Sequence, residues 1–180
     1  MYARLGLTVV TLAMLSACAN SPSSSTYSQA ALPDAVKVPA GNKVALEAVG
    51  VGKISYECRE KVNAAGVFEW AFVGPDAVLN SRAGAQIGKY YGPPATWESK
   101  DGSKVTGKQL AVAPSTVGNI PLQLVQGNPA TGQGLMTGVT YIQRVNTQGG
   151  VAPAIVCNGD SKGKKEIVNY QADYIFYSAQ

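Results

Sequence analysis

The stretch Tyr90-Tyr91-Gly92-Pro93-Pro94-Ala95-Thr96-Trp97-Glu98, with Asp101-Gly102 just after it, is the part of the chain whose residue types best suit chemistry. Aromatic faces pack against sugar rings, and carboxylates accept hydrogen bonds from hydroxyls. Tyr90, Tyr91, Trp97, Glu98 and Asp101 are therefore the best candidate surface for a glycan or other polymer. A structural reading competes and carries more weight: Trp97 fills the core, and Asp101-Gly102 makes a hairpin turn. Glu98 and Asp101 also raise the question of a glycosidase pair. Such a pair needs carboxyls ~5–9.5 Å apart across a cleft, one with a raised pKa. Solvated turn carboxylates are the plainer reading. Arg144 and Asp173 stand among apolar neighbours. They either pair with each other, or Arg144 offers its fork to an anionic ligand.

Several chemistries are closed to the chain. It contains 0 histidines, which excludes Ser-His-Asp and Cys-His catalysis, imidazole metal ligation and histidine pH switching. The segment Asn158-Gly159-Asp160-Ser161-Lys162-Gly163 loosely echoes a calcium loop. Lys162 at the fifth ligand position and the lack of an acid at the twelfth argue against one. No phosphate loop or dinucleotide fingerprint occurs. Neither a metal nor a cofactor is expected. The formal charge is +4, and the densest basic run is Lys162, Lys164 and Lys165 without interleaved aromatics. That run reads as a solvated turn, so no nucleic-acid partner is expected.

The start of the chain reads as an address. Arg4 precedes an apolar run over 5–15, too short to span a bilayer and suited to a signal-peptide core. Leu15-Ser16-Ala17-Cys18 follows and resembles the lipobox of bacterial lipoproteins. There the leader is cut before the cysteine, which then carries acyl chains such as palmitate. The resemblance implies a signal peptide over 1–17, a lipid on Cys18 and a membrane anchor. Several chains at ~0.8 kcal/mol per buried CH₂ hold firmly where one would not. Ala19 is not an inner-membrane retention signal in that sorting pattern, which implies the outer membrane. The alternative is an ordinary cut after Ala17-Cys18-Ala19, releasing a secreted soluble protein. Residues 18–33 are Ser-rich and read as a flexible tether, leaving one domain over 34–180.

Cys58 and Cys157 then remain as an even pair outside the cytoplasm and are expected to form one disulfide. Buried free thiols are the alternative. A bridge here closes a loop of about 100 residues, worth ~4–5 kcal/mol in the chain-entropy model. The elements between them follow a period of two. Ile54, Tyr56 and Cys58 share one face, and Phe68, Trp70 and Phe72 share another across a turn at 63–66. The two runs predict a hairpin with an aromatic inner face. Further strands are expected over 44–49, 77–80, 86–91, 104–112, 120–126, 138–146 and 168–177. Gly74-Pro75-Asp76, Gly92-Pro93-Pro94, Asp101-Gly102, Asn128-Pro129 and Gly149-Gly150 punctuate them. The expectation is an all-β, single-domain antiparallel sandwich or barrel with one disulfide.

Several blocks together resemble a known family. They are Gly50 through Cys58, Trp70 through Leu79, Ile87 through Ser103, Val139 through Gly150 followed by Ala152-Pro153 and Cys157, and Tyr170 through Tyr177. In this order they look like the DUF3455 family of secreted bacterial and fungal proteins, over about residues 44–177. The family pattern places a histidine shortly before Gly-Pro-Thr-Trp. Here that stretch is Lys89-Tyr90-Tyr91, and Pro94 and Ala95 lengthen the spacing to Trp97. Catalysis resting on that histidine has no counterpart in this chain. The resemblance brings no established activity. The expected function is a non-enzymatic binding or structural module of the cell envelope, contacting an envelope polysaccharide or a protein partner. The alternative is a glycan hydrolase using Glu98 and Asp101.

Overall fold

The structure, a computed structural model, describes residues 27–180. The leader, Cys18 and the first part of the expected tether lie outside the described residues. The chain forms eight strands: β1 Asn42–Glu60, β2 Phe68–Asn80, β3 Gln86–Tyr91, β4 Thr96–Ser99, β5 Lys104–Ala113, β6 Leu122–Gly127, β7 Val139–Gly149 and β8 Lys165–Ala179. Each pairs antiparallel with the next, and β8 returns to β1, so the sheet closes into an up-and-down barrel. Of the two architectures expected, closure selects the barrel. It leaves no free edge along the β1–β8 seam.

Alternation decides what fills the barrel. Ala48, Leu79, Trp97, Val105, Ile142, Tyr174 and Phe176 point inward from different strands and form one core cluster. A second cluster lies outside the wall, where Val36, Val38, Leu124, Val145, Ile175 and Tyr177 are covered by Tyr27 and Leu32. The segment over 27–33, expected as tether, is therefore docked onto the barrel. Its few apolar residues find a waiting patch, which Ser-rich composition alone does not reveal. The fully buried Gln143 holds the strap polar end to polar end. Its carbonyl accepts from the hydroxyls of Tyr27 and Tyr177, each at 2.9 Å. Its amide donates to Gln29 Oε1 at 3.0 Å and to the Val36 carbonyl at 2.6 Å. A buried amide with every hydrogen-bonding atom partnered fixes one register of strap on barrel.

The predicted hairpin is present, with Cys58 opposite Trp70 and Tyr56 opposite Phe72. Its strands run further than the turn signals suggest. Gly74-Pro75-Asp76 does not turn but continues β2 to Asn80, beside a register shift at Ser55/Tyr56. A bulge tolerates proline because the ladder there is already interrupted. Gly74 is needed for space, since a Cβ at that position would run into the Gly92 carbonyl. The second difference is β4, four residues in what reads as a Gly/Pro connection. Cys58 and Cys157 form the expected disulfide, with Cα atoms 5.5 Å apart. It ties β1 to the β7–β8 connection, which Trp70 also holds by donating to the Ile155 carbonyl at 2.8 Å. The loose calcium-loop echo is a capped 3-10 turn, Gly159–Ser161, with Asn158 and Ser161 bonding each other reciprocally.

The meander gives the barrel two ends. One carries the β2–β3, β4–β5 and β6–β7 connections. The other carries β1–β2, β3–β4, β5–β6 and the disulfide-bonded β7–β8 connection.

Candidate binding site

The aromatic block divides between the two faces of the wall, because successive residues of a strand point oppositely. Tyr90 and Trp97 oppose each other across β3 and β4 and turn inward. Their rings stack at 4.6 Å, and Tyr90 and Trp97 meet the Tyr174 ring at 5.1 and 5.9 Å. Trp97 is 1% exposed, so it is a core residue and not the anchor of an exposed aromatic face. Its indole N–H has no acceptor among the described residues.

Tyr91 and Glu98 turn outward. The Tyr91 hydroxyl donates to Glu98 Oε2 at 2.8 Å, and Lys89 and Lys104 approach the same oxygen at 3.4 and 3.3 Å. The Tyr91 hydrogen bond, with the two lysines, lowers the Glu98 pKa. Asp101 belongs to the β4–β5 turn. Its carboxylate accepts from the Ser103 hydroxyl at 2.6 Å, the Ser103 amide at 2.9 Å and the Leu135 amide at 2.8 Å. These bonds, the Ser103 hydroxyl first, hold its pKa down at about 2. Gly134 lacks a Cβ where that atom would collide with the Asp101 carboxylate. Through Leu135 and Ser103, Asp101 pins the β6–β7 connection, and Ser103 Oγ accepts from the amide of fully buried Met136 at 3.1 Å. Met136 enters the core cluster and seals the first end. Both carboxyls of the alternative hydrolase pair, Glu98 and Asp101, are thus favoured in their ionised form by structural partners. Neither supplies the raised-pKa acid that glycoside hydrolysis requires.

Arg144 and Asp173 do not pair with each other. Asp173 bonds Arg82 at 2.9 Å and accepts from Asn146 at 2.8 Å on the outer wall. The residue opposite Arg144 on β8 is Tyr174. Arg144 lies two positions from inward-facing Ile142 in an unbroken stretch of the β6–β7 ladder, so its side chain starts from the inner face of the wall. Two of its N–H groups, on Nε and Nη2, donate to the Pro121 carbonyl at 3.2 and 2.9 Å. Among the described residues it has no carboxylate partner. Burial raises the pKa values of Tyr56, Tyr90, Tyr170 and Tyr174, and the Arg144 charge opposes that rise at each. The guanidinium therefore stands within electrostatic reach of four inward tyrosines.

Following the ladder through Arg144 gives a row across the inner wall: Val112, Gln123, Arg144, Tyr174 and Ala48. Exposure falls along it, from 46% at Val112 through partly exposed Gln123 and Arg144 to 0% at Tyr174 and Ala48. Gln109, opposite inward Val125, is exposed and accepts from the Gln123 side-chain amide. The inner wall thus reaches solvent at Gln109, Val112, Gln123 and Arg144, while Val105, Val125 and Ile142 on the same strands and Tyr174 and Ala48 beyond them are buried. Sequence reasoning missed Val112, Gln109 and Gln123. The signal was there: glutamines at positions that continue the inward faces of Val105-x-Gly107 and Val125.

A separate groove of about 590 Å³ lies over Lys53, Gln148, Asn169 and Gln171 on the β7–β8–β1 side, and Lys53 is the single charge in its lining. Among the described residues no group of three or more His, Cys, Asp or Glu side chains comes together, and no helix is long and apolar enough to cross a membrane.

The model of a family described as "Protein of unknown function (DUF3455)" matches residues 39–178, and the chain belongs to that family. No curated protein and no solved structure matches it.

Proposed function

We propose that this member of the DUF3455 family is a cell-envelope lipoprotein whose barrel is a non-enzymatic binding module. In this reading the chain is held at a membrane, the outer one, through lipid on Cys18, and contacts an envelope polysaccharide or protein partner. The Leu15-Ser16-Ala17-Cys18 pattern behind an apolar leader supports the anchor. The Cys58–Cys157 bridge supports an oxidising compartment.

The observation that carries the binding role is the unequal inner wall. Polar side chains of β5–β7 reach solvent at one end, while the carboxylates that would serve catalysis are bound into the fold. A packed wall with an open, polar rim can hold a ligand without an acid or base to transform it.

Two measurements test the reading. Mass spectrometry of the mature protein is expected to find acyl chains on Cys18; an unmodified N-terminus at Asn20 contradicts the anchor. Thermal-shift titration of the full chain against peptidoglycan fragments and envelope polysaccharides tests the binding role. Ligand at about 100 times its Kd adds ~2.7 kcal/mol, or roughly 5–10 °C in Tm for a domain this size. No shift with any of them counts against a glycan partner.

A further inference from the structure

We infer that the open rim around Arg144 is a binding site for a hydroxylated carboxylate, the chemistry of a uronic acid unit in an acidic polysaccharide. The inference rests on the binding-module reading and names its ligand class.

Three features of the rim carry it. The first is an incompletely used cation. An arginine fork has five N–H donors, and the Pro121 carbonyl engages only those on Nε and Nη2 that face it. The Nη1 donors have no partner among the described residues. The Pro121 contact fixes the fork's orientation beforehand, which lowers the entropy lost on binding. A guanidinium so held presents its remaining edge to a carboxylate as a charge-assisted pair.

The second feature is the pair of primary amides beside it. Gln123 is the direct cross-strand neighbour of Arg144, and it bonds Gln109 on the next strand. Each amide both donates and accepts, which matches a hydroxyl's own dual character. The third is charge count. In the two inward rows, Val112 to Ala48 and Gln109 to Phe176, Arg144 is the only ionised side chain. One positive charge flanked by neutral amides suits a monoanion with hydroxyls better than a phosphate dianion. Access comes from the slope of the wall, since Val112 and Gln109 stand exposed beside the site.

The test is isothermal titration of the purified full chain with sodium D-glucuronate, D-glucose and inorganic phosphate. Wild type is expected to bind glucuronate, with glucose and phosphate at least tenfold weaker. Arg144→Lys keeps the charge and loses the fork; it is expected to weaken glucuronate at least tenfold, and Gln123→Ala severalfold. Circular dichroism and an intact Cys58–Cys157 bridge check that the variants fold. Should one of the two variants misfold, the other still decides the matter. Glucuronate affinity unchanged in Arg144→Lys overturns the inference, as does equal affinity for phosphate. Binding of a neutral envelope glycan that ignores all these variants overturns it while leaving the binding-module reading standing. No binding of any glycan defeats the inference together with the polysaccharide form of the binding-module reading.

Discussion

The two ends of the barrel are built from similar parts and finished differently. At the first end a carboxylate does the closing. Asp101 gathers Ser103 and Leu135, and the connection they hold drives Met136 into the core. At the other end Ile120 enters the core from the β5–β6 connection, but Val112, Gln123 and Arg144 beside it stay in reach of water. At the first end Asp101 accepts three hydrogen bonds that tie two connections together, while at the second Arg144 uses only part of its fork. An ionised side chain whose hydrogen bonds hold loops together is architecture. One with donors to spare, fixed in place and facing an opening, is available for recognition.

The contrast can be sharpened by perturbing each end in turn. The largest loss is expected from removing the bridge that staples the open end, by Cys58→Ser with Cys157→Ser. A separation of 99 residues corresponds to ~4–5 kcal/mol of lost chain constraint, or roughly 10–15 °C in Tm by calorimetry. Next comes Met136→Ala at the sealed end. A buried methionine truncated to alanine costs ~2–5 kcal/mol, readable as a lower denaturant midpoint. If that variant were as stable as wild type, the first end would not be sealed by Met136.

A third perturbation is acid. Hydrogen bonds from Ser103 and Leu135 hold the Asp101 carboxyl at a pKa of about 2 in the fold, below its ordinary value of 3.8. The folded state therefore binds its proton less readily than the unfolded chain. Its stabilisation is complete above about pH 4 and is lost as pH falls toward 2. Asp101→Asn is expected to lower Tm at neutral pH and to flatten the Tm-against-pH curve in that window. Parallel curves for variant and wild type would contradict the role. The smallest stability effect is expected from Arg144→Ala, which gives up contacts to one exposed carbonyl. A change within ~1 kcal/mol would mark the second end as a place where function, not folding, holds the residue. A loss as large as that of Met136→Ala would make Arg144 architecture too.

Much of this was legible beforehand. The all-β class, the Tyr56–Phe72 hairpin and the Cys58–Cys157 pairing follow from period-two alternation and cysteine count. Closure was not, because β1 pairing with β8 joins residues from opposite ends of the chain. No local pattern distinguishes a barrel from a sandwich. β4 was hidden because four residues between Gly/Pro signals are too short to alternate visibly. The aromatic block looked like a surface because its residues are adjacent in sequence. The pleat divides them, sending Tyr90 and Trp97 into the core and Tyr91 and Glu98 outward. Arg144 opposite Tyr174 was within reach of the same rule, since β8 alternates Tyr170, Ala172, Tyr174 and Phe176 inward. Its freedom from Asp173 was not, because Arg82 comes from the distant β2–β3 connection.

The most direct single measurement is an NMR titration of the full chain with glucuronate, following arginine Nε–H and glutamine side-chain amide signals. The account predicts perturbations at Arg144, Gln123 and Gln109, with Met136 and the Asp101 turn unmoved. Shifts centred on Tyr91 and Glu98 at the outer wall, or none at Arg144, would contradict it.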